Sequence, residues 1–424
     1  MTCESKDFEF HVVETDEELD ELIEFNRQVH PEDDVEELRR TIEYLPGFSR
    51  EMNYYIRDVE TGKIVSSANA LPSTWMYEDV PLRNLELGWV GTDAAYRHRG
   101  LVRLLYSHFE EELQRGQYDI STIEGIPYFY RQFGYDFVVP MEQHVLLRLE
   151  QFPKQSADLA DTVSLRQADM DDIAKLDSLY RSHNTDVLMH SHRDGQLWEL
   201  QERFHRYFEH KFVTMLVEDA GDVVGYLRYL EPGADAVEKR QPFTVIENHM
   251  TTYRGVMMCL DFLREKAAEH GLCSVRINGP DSNNLCQVAL AYGAIARKGW
   301  KHQVRIPDMV RFLTAIQSVL ERRLRGTMFQ GLTQDVRLNT YRRCYTLSFK
   351  DGQISRISDE GFVDRTQTPE FGVSEQDFVR VILGTAAIDE ISEYNIDSYA
   401  RGLTRHLVRT LFPKRESFVA YYGV

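Results

Sequence analysis

The sequence predicts a mixed α/β protein of the α+β type, built as three consecutive domains, and three observations predict it. The chain of 424 residues is long enough for about three domains of ordinary size, and its 42% hydrophobic and 28% charged residues are typical of globular proteins. From Phe8 onward, strand-like segments alternate with amphipathic helices. This order of elements restarts at Val163, after a polar linker. We therefore expect domains at residues 1–152, 153–306 and 307–424.

Composition argues against several classes of protein. A formal net charge of -19 opposes binding to nucleic acid and would attract cations such as polyamines, aminoglycosides or basic peptides. No apolar run approaches the ~18 residues of a membrane span, and the acidic start of the chain lacks a signal-peptide pattern, so we expect a cytoplasmic protein without a membrane partner. The cysteines are odd in number and lack CxxC spacing, which argues against disulfides and against a metal such as zinc. They are Cys3, Cys259, Cys273, Cys286 and Cys344.

The elements of the first domain follow from hydrophobic periodicity. Val102, Leu105, Phe109 and Leu113 recur at steps of three or four residues, which predicts one helix that ends at Arg115-Gly116. Similar patterns predict strands at residues 8–13, 52–57, 63–71, 85–92, 118–123, 137–139 and 143–149, and helices at residues 16–29 and 31–44.

The helix after residue 100 begins with a basic, glycine-containing turn, residues 97–100 (Arg-His-Arg-Gly). A helix N-terminus presents unpaired backbone N–H groups and a positive dipole, which suit a phosphate or pyrophosphate. Gly100 would let such a ligand approach the backbone closely. The alternative is a basic helix start that only offsets neighbouring carboxylates.

Two motifs in this region resemble a known family. Residues 97–102 (Arg-His-Arg-Gly-Leu-Val) resemble the Arg/Gln-x-x-Gly-x-Gly/Ala signature of the GCN5-related N-acetyltransferases (GNAT), which binds the pyrophosphate of acetyl-coenzyme A. Residues 125–135 (GIPYFYRQFGY) resemble a segment of the enhanced intracellular survival (Eis) acetyltransferases. Val102 stands where most of the superfamily has Gly or Ala, and the Eis subset tolerates a bulky residue there.

The resemblance implies the fold and the cofactor. It implies two tandem acyl-CoA N-acyltransferase (GNAT) folds, with acetyl-CoA as co-substrate and the main chain around residue 90 pairing with the pantetheine arm. A half-buried strand that merely contains one glycine is the alternative for that segment. The implied cofactor-binding residues are Val90, Gly91, Thr92, Arg97, His98, Arg99, Gly100, Leu101, Val102, Arg103, Gly125 and Ile126.

The resemblance also implies two catalytic groups. Tyr130 takes the position of the general acid, because a phenol with a pKa near 10 is protonated at neutral pH and can protonate a departing thiolate. Tyr128 and Tyr135 are rivals, and aromatic residues at this spacing are more often core than catalytic. The α-carboxylate of Val424 is the implied base, acting through the substrate amine or a water.

The second and third domains lack such motifs. The second domain repeats the predicted elements at strands 163–166, 212–217, 223–229, 243–250 and 274–278 and helices 170–180, 253–269 and 283–292, with residues 190–192 (His-Ser-His) in a polar loop. Its helix entrance, residues 250–255, has no x-x-Gly-x-Gly spacing, so we expect structural support and not a second coenzyme site. The third domain, with helices at residues 308–324 and 397–411, a hairpin at 335–357 and a helix capped by Ser374, resembles the sterol-carrier-protein-like domain of the Eis group.

The sequence thus predicts an acetyl-CoA-dependent N-acetyltransferase. The expected acceptor is a small-molecule or peptide amine, aminoglycoside-like, polyamine-like or a lysine, and transfer is direct because no cysteine lies in the motif region. Relatives form hexamers, which we carry over as an expectation of a homo-oligomer. The rival hypotheses are a lipid-binding protein that uses the last domain and a scaffold that only senses acetyl-CoA.

Overall fold

The computed structural model describes residues 7–31, 35–153, 162–204, 211–368 and 370–419. Within these ranges, no helix combines the length and the apolar character needed to cross a membrane. The same ranges contain no group of three or more His, Cys, Asp or Glu side chains that could hold a metal ion. Most of the predicted linker lies outside the described residues.

The first part of the chain follows the predicted order, and α1 has the predicted bounds. One strand is longer than predicted, because it runs on to Tyr77 in antiparallel register with the following strand, where Tyr77 pairs with Val80. The elements are β1 (Phe8–Val12), α1 (Asp16–Val29), α2 (Val35–Tyr44), β2 (Asn53–Asp58), β3 (Ile64–Tyr77), β4 (Val80–Thr92), α3 (Leu101–Gly116), β5 (Ile120–Ile123), β6 (Asp136–Pro140) and β7 (His144–Arg148).

The second part repeats this order with additions that the sequence did not predict. His190 lies in a short strand that pairs with β3, where a polar loop was expected, and α5 was missed. The elements are β8 (Val163–Gln167), α4 (Ile173–His183), β9 (Met189–Ser191), α5 (Gly195–Phe204), β10 (Phe212–Asp219), β11 (Asp222–Leu230), β12 (Phe243–Met250), α6 (Tyr253–Glu269), β13 (Ser274–Asn278), α7 (Asn284–Ala291), β14 (Ile295–Arg297) and β15 (Lys301–Arg305).

The two large sheets exchange strands. The first sheet has the order β1-β2-β3-β4-β5-β15-β6, with β9 beside β3, and the second has the order β14-β7-β13-β12-β11-β10-β8. Residues 143–149 were expected to close the first sheet, but β7 instead pairs with β13 and β14 in the second. Local alternation predicts a strand and leaves its partner open, so this exchange could not be read from the sequence.

Helices cover both faces of the first sheet. On one face α3 packs Leu105, Phe109 and Leu113 into a core with Leu85 and Leu87 of β4. On the other face, α1 and α2 form a separate core. Because successive side chains of a strand point to opposite faces, the even-numbered residues of β4 from Asn84 to Gly88 face the α1 side.

The third part is an α+β unit packed against one end of the first sheet. Ser374 caps α10 as predicted, its hydroxyl accepting from the Asp377 N–H at 3.1 Å. The predicted helix at 308–324 is broken at Ile316, and residues 412–419, whose short aromatic pattern is typical of a strand, form none. The elements are α8 (Met309–Ala315), α9 (Gln317–Leu324), β16 (Asp335–Asn339), β17 (Cys344–Lys350), β18 (Gln353–Asp359), β19 (Phe371–Gly372), α10 (Glu375–Ile382), α11 (Ile388–Tyr394), β20 (Tyr399–Ala400) and α12 (Gly402–Leu411).

Candidate active site

The centre of the first sheet opens into a cleft between β4 and β5. These parallel strands pair only from Asn84 to Glu86 of β4, and β4 then continues to Thr92 without β5 beside it. A bulge against β3, where Trp89 has φ +45°, accompanies the divergence. In the described part of the chain, no side chain hydrogen-bonds the main chain of residues 87–90. The cleft therefore exposes a strand edge that can pair with an extended ligand.

Two glycines of β4 let side chains of β3 and α1 approach the strand closely. A Cβ on Gly88 would lie 2.5 Å from the Asn69 Oδ1 atom and 2.7 Å from the Leu71 Cδ1 atom. A Cβ on Gly91 would lie 2.6 Å from the Val29 Cγ2 atom at the end of α1. The close approach at Gly91 is thus to a helix of the protein itself.

The basic turn lies exposed at the start of α3. Gly100 adopts φ +83°, a left-handed conformation that favours glycine, and α3 begins at the next residue. Asp93 accepts from the Ala95 N–H at 2.8 Å and fixes the preceding turn. Over the described residues, the N–H groups of residues 98–102 make no hydrogen bond. They form an N-terminal site suited to an anion.

Arg97 and Arg99 of this turn, together with Arg103 in the first turn of α3, are available to a ligand. Arg99 stacks over the Tyr96 ring at 4.9 Å, and Arg103 donates to the Gln132 Oε1 atom at 3.1 Å. Neither they nor Arg97 form an ion pair with a described carboxylate. This arrangement disfavours the alternative in which the basic turn only offsets nearby acids. Leu101 contributes its main chain alone, since its side chain is buried beneath α3.

Tyr130 lies in a 3-10 turn spanning Phe129–Phe133, and its side chain is buried in the core beneath α3. Its ring packs on Gly125, where an added Cβ would lie 2.2 Å from the Tyr130 Cε2 atom. Burial raises the pKa of Tyr130 to about 12, and its hydroxyl has no hydrogen-bond partner among the described residues. The group is therefore a proton donor at neutral pH that is free to bind a ligand. Ile126 is exposed beside it.

The two rival tyrosines have other environments. The Tyr135 side chain is fully buried, and its hydroxyl lies 2.6 Å from the Ser121 hydroxyl, which donates to the Leu85 carbonyl. Tyr128 is 77% exposed. Tyr135 is therefore a structural residue and Tyr128 a surface residue, and of the three only Tyr130 is buried with a hydroxyl that has no hydrogen-bond partner among the described residues.

A pair of carboxyl groups in the cleft was missed by the sequence analysis. Glu86 extends from β4 on the α1 side, and burial raises its pKa to about 7 against a hydrogen bond from Thr122 that lowers it. Glu124 follows β5, and burial, with the nearby charges of Glu86 and Glu142, raises its pKa well above the usual range. The signal was present, because Glu86 interrupts an apolar strand between Leu85 and Leu87.

The C-terminal segment approaches the same cleft. Its last described residue, Val419, donates its N–H to the Pro140 carbonyl at 3.3 Å and lies 3.1 Å, through its carbonyl oxygen, from the His302 Nε2 atom. Val424, the residue predicted to supply the base, lies outside the described residues.

A parallel strand pair that diverges beside an exposed, basic helix N-terminus suits an extended ligand with an anionic end. Comparisons with known proteins assign this arrangement to a GNAT fold. Residues 14–138 match the family model of the acetyltransferase (GNAT) domain. No curated protein matches the sequence.

Solved structures extend the similarity to the full chain. A GCN5-related N-acetyltransferase from Anabaena variabilis aligns over 97% of this chain and 99% of its own, at 14% identity and a TM-score of 0.71. A second one, from Kribbella flavida, aligns over 98% of both chains at 14% identity and a TM-score of 0.67. Eis1 from Mycobacterium abscessus aligns over 98% of this chain and 99% of its own, at 12% identity and a TM-score of 0.63. At these identities the similarity shows a shared fold. With the domain match, it identifies the protein as a transferase enzyme of GNAT fold.

Proposed function

We propose that the protein transfers an acetyl group from acetyl-CoA to an amine, directly and within a ternary complex. The observation that carries this proposal is the position of the free N–H groups of residues 98–102 beside the open edge of β4. An anion site and a strand edge in one cleft suit a ligand with a diphosphate at one end and amides along its length.

The residues of the cleft fit this coenzyme. The N–H groups of residues 98–102 would hold the diphosphate, with Arg97, Arg99 and Arg103 adding positive charge. Main-chain groups of residues 87–92 would pair with the pantetheine amides, and the Val90 N–H is our candidate for polarising the carbonyl. When bound, acetyl-CoA supplies the activated acetyl group.

Two side chains of the protein would move protons. Tyr130 holds a proton at its hydroxyl and would give it to the leaving thiolate. Glu86, with a pKa of about 7, can accept a proton from an ammonium acceptor near neutral pH. The Val424 carboxylate stays an alternative base.

The acceptor we propose is a cationic amine: aminoglycoside-like, polyamine-like, or a lysine or N-terminal amine of a peptide. The carboxyl group of Glu86 in the cleft supports this, as does the formal net charge of -19. We also propose a sterol-carrier-like third domain, a cytoplasmic location and a homo-hexamer, which native mass spectrometry would test.

A thiol-release assay over aminoglycosides, polyamines and basic peptides tests this function. We expect acetyl-CoA-dependent release with at least one amine, a product heavier by one acetyl group, and acetyl-CoA binding by calorimetry. Binding without release would favour a sensing scaffold, and bound lipid with no coenzyme binding would favour a lipid carrier.

A further inference from the structure

His302 is a buried residue that the second part of the chain contributes to the first sheet. It lies on β15, the strand inserted between β5 and β6, and only 1% of it is exposed. Its ring packs edge-on against Trp75, with 5.0 Å between the ring centroids. Because it is buried at this position, His302 links the groups that lie next to its two ring nitrogens.

The Nε2 atom of His302 fixes the tautomer of the ring. It lies 3.1 Å from the Val419 carbonyl oxygen, and because a carbonyl can only accept, Nε2 must carry the proton. Burial lowers the pKa of His302 to about 4, so the ring is neutral and Nδ1 has a free lone pair. The described residues give Nδ1 no hydrogen-bond partner.

The group that faces this lone pair is Glu124. Its Oε1 atom lies 3.7 Å from the His302 Nδ1 atom, slightly beyond hydrogen-bond distance. The titratable groups around Glu124 are Glu86 from β4, Glu142 from the β6–β7 connection and His302 from β15. None of them is a cation at neutral pH, so Glu124 has reason to keep its proton and can donate it to Nδ1.

We propose that His302 is a positioning residue that joins the C-terminal segment, at Val419, to the cleft carboxyl Glu124 and holds Glu124 as a neutral hydrogen-bond donor. Glu86 then becomes the carboxyl of the pair that ionises, since two adjacent carboxylates resist carrying charge together. The inference rests on the proposed function, in which Glu86 takes a proton from the acceptor amine.

Two variants separate the contacts of the ring. In His302→Gln the amide nitrogen can replace Nε2 and keep the Val419 contact, while no acceptor remains at the Nδ1 position. In His302→Asn the amide can replace Nδ1 and face Glu124, while the Val419 contact is lost. Thermal melting of both full-length variants checks that they fold.

Hydrogen exchange of the peptide covering residues 415–419 measures the first contact. We expect exchange about tenfold faster in His302→Asn, from the loss of about one hydrogen bond, and unchanged exchange in His302→Gln.

The pH profile of kcat/KM measures the second contact, between the His302 Nδ1 atom and Glu124. Without an acceptor, Glu124 ionises more readily and repels the charge on Glu86, so the acid limb moves up by about 0.5–1 pH unit in His302→Gln only.

Carbon-13 NMR of the glutamate carboxyls, assigned with Glu124→Gln, follows the same titration without turnover. If His302→Gln changes neither the Glu124 titration nor the acid limb, the proposal is overturned. If the wild-type protein acetylates no amine while the exchange and NMR differences hold, the proposed function fails and the structural link between Val419 and Glu124 stands.

Discussion

The two large sheets contain the same parallel strand pair, and among the described residues side-chain hydrogen bonds bridge the diverging strands in the second sheet but not beyond Glu86 in the first. In the first sheet, β4 leaves β5 after Glu86 and its edge stays free. In the second, β12 leaves β13 after Val245, and asparagine side chains bridge the gap. Asn248 donates to the Asn278 carbonyl at 3.1 Å, and Asn283 donates to the Asn248 carbonyl at 3.0 Å.

The helices that follow the two strand pairs, α3 and α6, also differ, because a side chain caps the N-terminus of only α6. In α6 the Thr252 hydroxyl accepts from the Gly255 N–H at 3.1 Å, so an internal cap uses a donor that an anion would need. In α3 the corresponding start is Gly100, which has no side chain to cap the helix. The same fold therefore leaves the backbone donors of one helix start without a side-chain cap and caps the other helix start with a threonine hydroxyl.

The acidic residues of the two clefts also contrast. Glu247 of β12 accepts two hydrogen bonds from Arg193, at 3.1 and 2.8 Å, and one from the Tyr226 hydroxyl at 2.7 Å. Burial raises the pKa of Glu247, but the positive charges of Arg193 and Arg228 outweigh this effect and hold that pKa at about 2. Glu86 forms no ion pair with a described cation, so its charge can change during a reaction.

Replacing Tyr130, the proposed general acid, should have the largest effect on turnover. An unchanged turnover would contradict the comparison between the two sheets. For Tyr130→Phe we expect kcat to fall by about 10²–10⁴-fold with unchanged acetyl-CoA affinity, since a positioned proton donor is lost. Stopped thiol-release assays and calorimetry measure the two quantities. The matched control is Tyr135→Phe, which removes the bond to Ser121 and should cost about 1 kcal/mol of stability while turnover is kept. Equal turnover of Tyr130→Phe and wild type would remove Tyr130 from this role.

Breaking the ion pair between Arg193 and Glu247 should lower the free energy of unfolding and leave coenzyme binding intact. For Arg193→Met we expect a loss of about 3–5 kcal/mol in the free energy of unfolding, because Glu247 stays buried without its bidentate partner. Urea denaturation measures this, and calorimetry below the transition measures acetyl-CoA affinity. Arg203→Met, which breaks an exposed pair with Glu199, should cost less than about 1 kcal/mol. A folded Arg193→Met protein that no longer binds coenzyme would contradict the assignment of binding to the first cleft.

Local sequence patterns predict the elements well and their partners poorly. The bounds of α1, β12, α6 and β13 agree with the prediction because each has a complete local pattern and clear ends. The exchange of β7 and β15 depends on contacts far apart in the chain, which no local pattern encodes.

The same limit applies to the site. The basic turn at residues 97–100 could be predicted, since one helix start contains the whole signal. The grouping of Glu86, Glu124, His302 and Val419 could not, because four separate segments supply these residues and only the sheet order brings them together.

The proposed base predicts how activity depends on pH. Below a pKa of about 7 Glu86 is protonated and cannot accept a proton, so kcat/KM should rise about tenfold per pH unit up to near pH 7. In Glu86→Gln the part of the acid limb that comes from the enzyme should disappear, and the remaining pH dependence should come from ionisation of the acceptor amine. The free energy of unfolding depends on pH in the opposite direction. Because burial raises the Glu86 pKa above its value in the unfolded chain, the contribution of Glu86 to stability is lost as pH rises through about 7. An acid limb that is identical in Glu86→Gln would exclude Glu86 as the base.

The smallest effect compares the two helix entrances directly. Gly100→Ala forces a Cβ into a left-handed conformation, which costs about 1–2 kcal/mol, and a shift of the turn to relieve this strain would misalign its N–H groups. We therefore expect acetyl-CoA affinity to fall about tenfold, as measured by calorimetry. Gly255→Ala is the matched control: its φ is ordinary, and its Cβ, 3.1 Å from the Thr252 Oγ1 atom, would make that side chain shift only at the start of α6, so acetyl-CoA affinity should not change. Equal losses in both variants would mean that the first entrance has no special role in holding the diphosphate.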